Sequence, residues 1–175
     1  MKTIGLLLCV SLSGVLAHAQ AVSDPLSAGI KGIYNISKND VSRAAEEMPE
    51  ENYSFKPTPE VRSFGQIIGH VADAQYLFCS AAMGETNPAP GIEKSKTTKA
   101  DLVKAVNDAF AYCDKVYNAM TDAHAAEMVK FFGREQPKLV VLAFNSAHNM
   151  EHYGNLVTYM RIKGLVPPSS QPRKK

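Results

Sequence analysis

The sequence predicts an all-α protein, a four-helix bundle, and three observations carry that reading. Four stretches repeat apolar residues at the spacing of a helix face, no convincing run of period-two alternation separates them, and helix start and stop residues bracket them. The 175 residues suit one sizeable core, and 19 lysines and arginines stand against 17 aspartates and glutamates. Such a balance gives no electrostatic case for binding nucleic acid or an anionic membrane.

The first nineteen residues read as separate from the fold. Lys2 supplies a positive start, Ile4 to Leu16 is apolar, and Ala17-His18-Ala19 fits the small-x-small rule for cleavage before Gln20. The apolar run is shorter than the ~20 residues that span a bilayer, so a cleaved signal peptide is expected rather than a retained anchor. Residues 20–175 then form one exported domain, periplasmic or secreted, with no membrane association after cleavage. Cys9 lies inside the apolar run rather than at its end, which argues against lipidation. Its loss leaves Cys79 and Cys113 as an even pair in an oxidising compartment, either bridged or packed as two small hydrophobes.

The first helix is expected from a cap at Ser23 or Asp24, with Pro25 in its first turn, to the residue before Pro49. Leu26, Ile30, Ile33, Val41, Ala44 and Met48 are its expected core face. Thr58, Pro59 and Glu60 then read as cap, first position and dipole-matched carboxylate of a second helix that runs to about Met83. His70 falls on its apolar stripe, and Gly65 and Gly69 leave room beside it. Gly84 to Thr97 is long for a helix connection and can cross the end of a bundle, which makes the second and third helices parallel. The third helix opens with Thr98 as cap and Asp101 behind it, ends near Met120, and buries Leu102, Val106, Phe110, Cys113 and Tyr117. The fourth runs from Gln136-Pro137 to Gly164, roughly 40 Å at 1.5 Å per residue.

Along that fourth helix the stripe Val141, Asn145, His148, Glu151, His152, Asn155 and Tyr159 is polar where a bundle seam is normally apolar. His148 and His152 are four residues apart and project from one face. With His70 they make a candidate open metal site, in which a coordination position is left to water or substrate. Asn145, Glu151, Asp73 and Asn155 each lie a turn from a histidine and are candidates to accept a ring N–H. Glu151 is also the candidate catalytic base. A solvent-facing or hydrogen-bonded polar seam remains the alternative. The string His148-x-x-Glu151-His152 matches the inverted zinc-protease pattern, but too little chain follows to build a further ligand and a cleft. His124, in a polar connector, is expected to be an exposed bystander. Nucleophile elbows, phosphate loops and Cys-x-x-Cys are absent from the sequence.

The segment Met48 to Asp73, with Pro57-Thr58-Pro59-Glu60 and Gly69-His70, together with His148-Asn149-Met150-Glu151-His152-Tyr153-Gly154, resembles the DinB-like superfamily. The resemblance covers the chain from the first helix to Gly164. It implies an up-down-down-up bundle with the long crossover between helices 2 and 3, and a divalent metal, zinc or nickel, held by His70, His148 and His152. Relatives of this kind include thiol-dependent transferases and isomerases, and the damage-inducible label does not imply DNA binding. The expected function is therefore that of an exported metal-dependent enzyme, hydrolase-like or thiol-dependent, acting on an unknown small molecule. A non-catalytic metal- or ligand-binding module is the other reading, and a homodimer is left open.

Overall fold

The computed structural model describes residues 23–172. The expected signal peptide, its processing point before Gln20 and the basic residues Arg173-Lys174-Lys175 lie outside the described residues. The elements run α1 (Pro25–Glu47), α2 (Phe64–Met83), α3 (Ile92–Ser95), α4 (Lys99–Ala119), α5 (Asp122–Ala125), β1 (Met128–Phe131), β2 (Arg134–Pro137) and α6 (Lys138–Ile162). The protein is mainly helical, as expected, and the third and fourth helices read from sequence are α4 and α6. No described helix is long and apolar enough to cross a membrane.

Each long helix packs on two others, α1 and α2 both lying against α4 and α6. Between α1 and α4 the pairs run antiparallel: Lys99 donates its Nζ to the carbonyls of Glu46 and Met48, while at the other end the Asp122 carboxylate accepts from the N–H groups of Leu26 and Ser27. Between α2 and α4, Gly69 meets Leu102 and Cys79 is bridged to Cys113, their Cα atoms 5.5 Å apart. Of the two cysteine readings, the bridge is the one present. The core is continuous through Val41, Phe64, Ile68, Val71, Leu102, Phe110, Leu142 and Leu156, all buried.

Three expectations are corrected. First, Leu26 and Ile33 are exposed and Ile30 is half-buried, whereas Val41, Ala44 and Met48 are buried as expected and are joined by Tyr34 and Ser37. Tyr34 decides that face, because its ring stacks on Tyr117 at 3.9 Å between centroids and its hydroxyl donates to the Phe110 carbonyl. Tyr34 is fully buried here, so the transfer of its ring, the stacking and the satisfied hydroxyl all act on the same face.

Second, α2 begins at Phe64 rather than after Thr58. Ser63 and Gln66 form a reciprocal capping box, the Ser63 hydroxyl accepting from Gln66 N–H and the Gln66 side chain accepting from Ser63 N–H. The segment before it is strapped to the bundle by Phe64 N–H to Phe55 O and Gly65 N–H to Tyr53 O, at 2.9 and 2.8 Å. Those bonds tie the start of α2 to the turn at residues 53–55, and a helix starting at Pro59 would break them, because Phe64 N–H would then be committed to the carbonyl four residues earlier.

Third, a hairpin stands where no strand was expected. Met128 pairs with Pro137 and Phe131 with Arg134, and the two-residue turn Phe132-Gly133 has φ of 47° and 78°. Both turn residues are left-handed, which is the two-residue geometry that matches strand twist; the glycine adopts it without penalty and the phenylalanine does not.

Candidate metal centre

The capping box fixes where α2 starts and so the height of His70, two turns further along. α6 supplies His148 and His152 from the opposite side of the seam. The Nε2 atoms of His70 and His148 are 3.1 Å apart, as are those of His152 and His148, and the three donor nitrogens lie within 4.8 Å of one another. The candidate ligands read from sequence are thus brought together. His124 sits exposed on α5, outside the trio.

The donor set fits a divalent ion. Three lone pairs aimed at one point repel unless a cation stands between them, and ligands on a tetrahedral ion with 2.0–2.1 Å bonds are about 3.3 Å apart. The rings are also held neutral, the form that binds metal. Burial, followed by the nearby His152 and His70, pushes His148 down to about 3. Burial likewise lowers His152 and His70, with the Glu93 carboxylate pulling His70 back upward.

Glu93 is the functional residue that sequence reasoning missed. Its carboxylate lies 3.2 Å from Nδ1 of His70 and accepts from Nε of Arg62 at 2.9 Å. A carboxylate at Nδ1 keeps the proton there and leaves the Nε2 lone pair for the ion. Two devices hold Glu93 in place. The Asp73 carboxylate accepts from the N–H groups of Gly91, Ile92 and Glu93 at 2.8–2.9 Å, and Gly69 lets the backbone of α3 come close, since a Cβ there would lie 2.8 Å from Glu93 Cα. Glu93 sits in a connector without periodicity, and nothing in its own spacing pointed to His70. The nearest signal was Gly69, one residue before a histidine on a helix.

The residues expected to accept ring N–H groups do other work. Asp73 fastens α3, and Asn145 donates to the Gln75 side chain at 3.0 Å in a polar layer beneath the histidines that continues through Asn149 to Ser37. Glu151 and Asn155 are exposed, so the polar stripe of α6 is only partly buried. Nδ1 of His148 and of His152 are buried without a protein partner among the described residues.

Two cavities flank the trio. One, of about 370 Å³, reaches His70 and His148 and is walled by Leu77, Phe78, Phe132 and Phe144. The other, of about 500 Å³, reaches His152 and is charged, with Arg62, Glu93 and Glu151 on its walls.

Fold and site together define a class of helical-bundle protein in which two facing helices present three imidazoles to a cavity. This chain belongs to the DinB superfamily, whose family model matches residues 34–156. It is 24% identical over 130 residues to the uncharacterized protein YjoA of Bacillus subtilis strain 168, covering 73% of this chain and 84% of that one. In structure it is similar to a DinB-like protein from Bacillus cereus (TM-score 0.71, 18% identity, 81% of this chain and 95% of that one). The mycothiol-dependent maleylpyruvate isomerase shares the fold at a TM-score of 0.60 and 17% identity, over 74% of this chain and 60% of that one.

Proposed function

We propose that this protein is an exported metal-dependent enzyme in which His70, His148 and His152 hold one zinc or nickel ion and a small molecule reacts beside it. The observation that carries the proposal is the convergence of three neutral imidazole Nε2 atoms at 3.1 Å spacing on the edge of two cavities. An up-down-down-up order of the long helices belongs to the same reading, supported by the antiparallel α1–α4 contacts and by Gly69–Leu102 and Cys79–Cys113 at matching heights. The bridged cysteines suit an oxidising compartment and so support export.

A divalent ion bound here supplies a Lewis acid that activates water or polarises a substrate oxygen or thiol. The chain's own residues do the rest. Glu93 holds the proton of His70 on Nδ1, Arg62 offers a cation to an anionic part of the substrate, and Glu151, exposed on the charged cavity beside His152, takes a proton from the reacting group. Of the two reaction types, the hydrolase-like one suits an exported protein better, because export separates the chain from cytosolic thiols. The isomerase neighbour is the support for the thiol-dependent one.

Metal analysis of tag-free protein recovered from the periplasm tests the reading. One equivalent of zinc or nickel is expected, lost in His70→Ala, His148→Ala and His152→Ala and kept in His124→Ala. Retention of a full equivalent by the His70→Ala, His148→Ala double variant overturns it. Metal binding by the native protein with no water or substrate position open at the ion would instead favour a non-catalytic binding module.

A further inference from the structure

The two cavities beside the histidines differ in chemistry, and the difference bears on what can bind. On the His70 and His148 side, Phe78 stands against His148 with ring centroids 5.3 Å apart, and Phe144 and Phe132 continue the wall from Phe78 at 5.4 and 6.4 Å. Leu77 and Ala74 supply the floor on α2. Asp73, at the rim, is occupied with the N–H groups of α3, so its carboxylate is not free to bind a polar tail. Phe132, Phe144 and Leu77 remain 67, 46 and 40% exposed. Large apolar side chains left open around a cavity that ends on imidazoles are the usual form of a ligand site, with an apolar body and a few convergent polar atoms.

We infer that this aromatic chamber takes the apolar tail of an amphiphilic small molecule whose anionic or thiol head sits at the trihistidine end. The inference rests on the metal reading above and names the substrate class for it: an acyl or thio compound bearing an aromatic ring or short alkyl chain. Size agrees, because an apolar cavity of about 150 Å³ accommodates benzene, and the chamber measures about 370 Å³. The charged cavity on the His152 side does not suit such a tail, since burying an apolar group against Arg62, Glu93 and Glu151 would strip water from charges and return no hydrogen bond. Polar thiols with sugar or peptide bodies fit the aromatic chamber poorly for the same reason.

The test uses the full chain loaded with zinc and two hydroxamates that share a metal-binding head, acetohydroxamate without a tail and benzohydroxamate with a ring. Zinc content is measured first and affinity by calorimetry second. Benzohydroxamate is expected to bind roughly ten- to a hundred-fold tighter, the gain from burying one ring. Phe132→Asn, which keeps a residue that tolerates positive φ at the turn, and Phe144→Gln are each expected to cut that ratio below about three-fold. Equal affinity of the two probes for the zinc-loaded chain overturns the inference alone, as does a ratio unchanged in both variants when circular dichroism shows them folded. A folded chain that takes up no zinc sinks the metal reading and this inference with it.

Discussion

Between α1 and α4, Tyr34 stacks on Tyr117 and its hydroxyl donates to the Phe110 carbonyl and the Asp114 carboxylate; between α2 and α6, three imidazoles turn nitrogens toward one another with no donor or acceptor set that satisfies all of them. Both seams bury polar side chains. In the first, each polar atom of Tyr34 finds its partner within the protein, so the group specifies packing. In the second, the partner has to come from outside, and that is where a ligand is to be sought. A count of buried polar residues would not separate the two seams, whereas asking what each atom is bonded to does.

The bridge between α2 and α4 ties the two seams together, and breaking it should separate scaffold from site. A crosslink closing a sequence separation of 34 stabilises by about 4 kcal/mol in the chain-entropy account. Cys79→Ala with Cys113→Ala should therefore lower stability by about that amount in urea unfolding while zinc stoichiometry stays at one. A folded double variant that loses its zinc would show that the seams are not independent.

Glu93→Gln sharpens the same contrast from the site side. It keeps the side-chain shape and removes the charge beside His70 Nδ1, so zinc affinity should fall about 10- to 100-fold in a competition titration, with less than about 1 kcal/mol change in the metal-free protein. Equal losses in affinity and in metal-free stability would make Glu93 a packing residue instead.

In the scaffold seam, Tyr34→Phe removes one hydroxyl with two acceptors and should cost about 1 kcal/mol, read as a shifted unfolding midpoint with zinc binding intact.

A further contrast concerns pH. His148 is held near 3 in the folded chain against an ordinary 6.5, so the unfolded chain binds the extra proton first. Metal-free protein should keep its full stability above pH 6.5 and lose it progressively as pH falls from 6.5 toward 3. The Tm drop between pH 7.5 and pH 5 should be smaller in His148→Gln, and an identical drop would assign the acid sensitivity elsewhere.

Much of this was legible in the chain. Helices α4 and α6 announce themselves through Thr98, Pro137 and Gly164, and the convergence of His70 with His148 and His152 follows from one histidine on a stripe and two a turn apart. What was not legible depends on contacts far apart in sequence. Thr58-Pro59-Glu60 is as good a local start signal as Ser63-Phe64-Gly65-Gln66, and the choice falls to bonds from Phe64 and Gly65 back to Phe55 and Tyr53. Leu26 and Ile33 carry a helical period, yet Tyr34 rotates the face away from them. The hairpin has only four residues per strand and a phenylalanine in its turn, so neither length nor turn chemistry marked it. Glu93 escaped because a connector residue has no period to read.

The fastening of α3 by Asp73 and Gly69 divides the crossover between α2 and α4 into a part that is pinned and a part that is not. Beyond Gly91 the backbone is committed to presenting Glu93, and an added residue there would shift the carboxylate away from His70. Before Gly91, Asn87 and Pro90 border the aromatic chamber, and nothing in that stretch touches an imidazole. Insertions and deletions from Thr86 to Ala89, beyond the Glu85 held by Tyr112 and the end of α2, could therefore reshape what the chamber admits while the three nitrogens keep their places. A change confined to that short stretch would alter which molecules fit beside the histidines and leave the histidines themselves untouched.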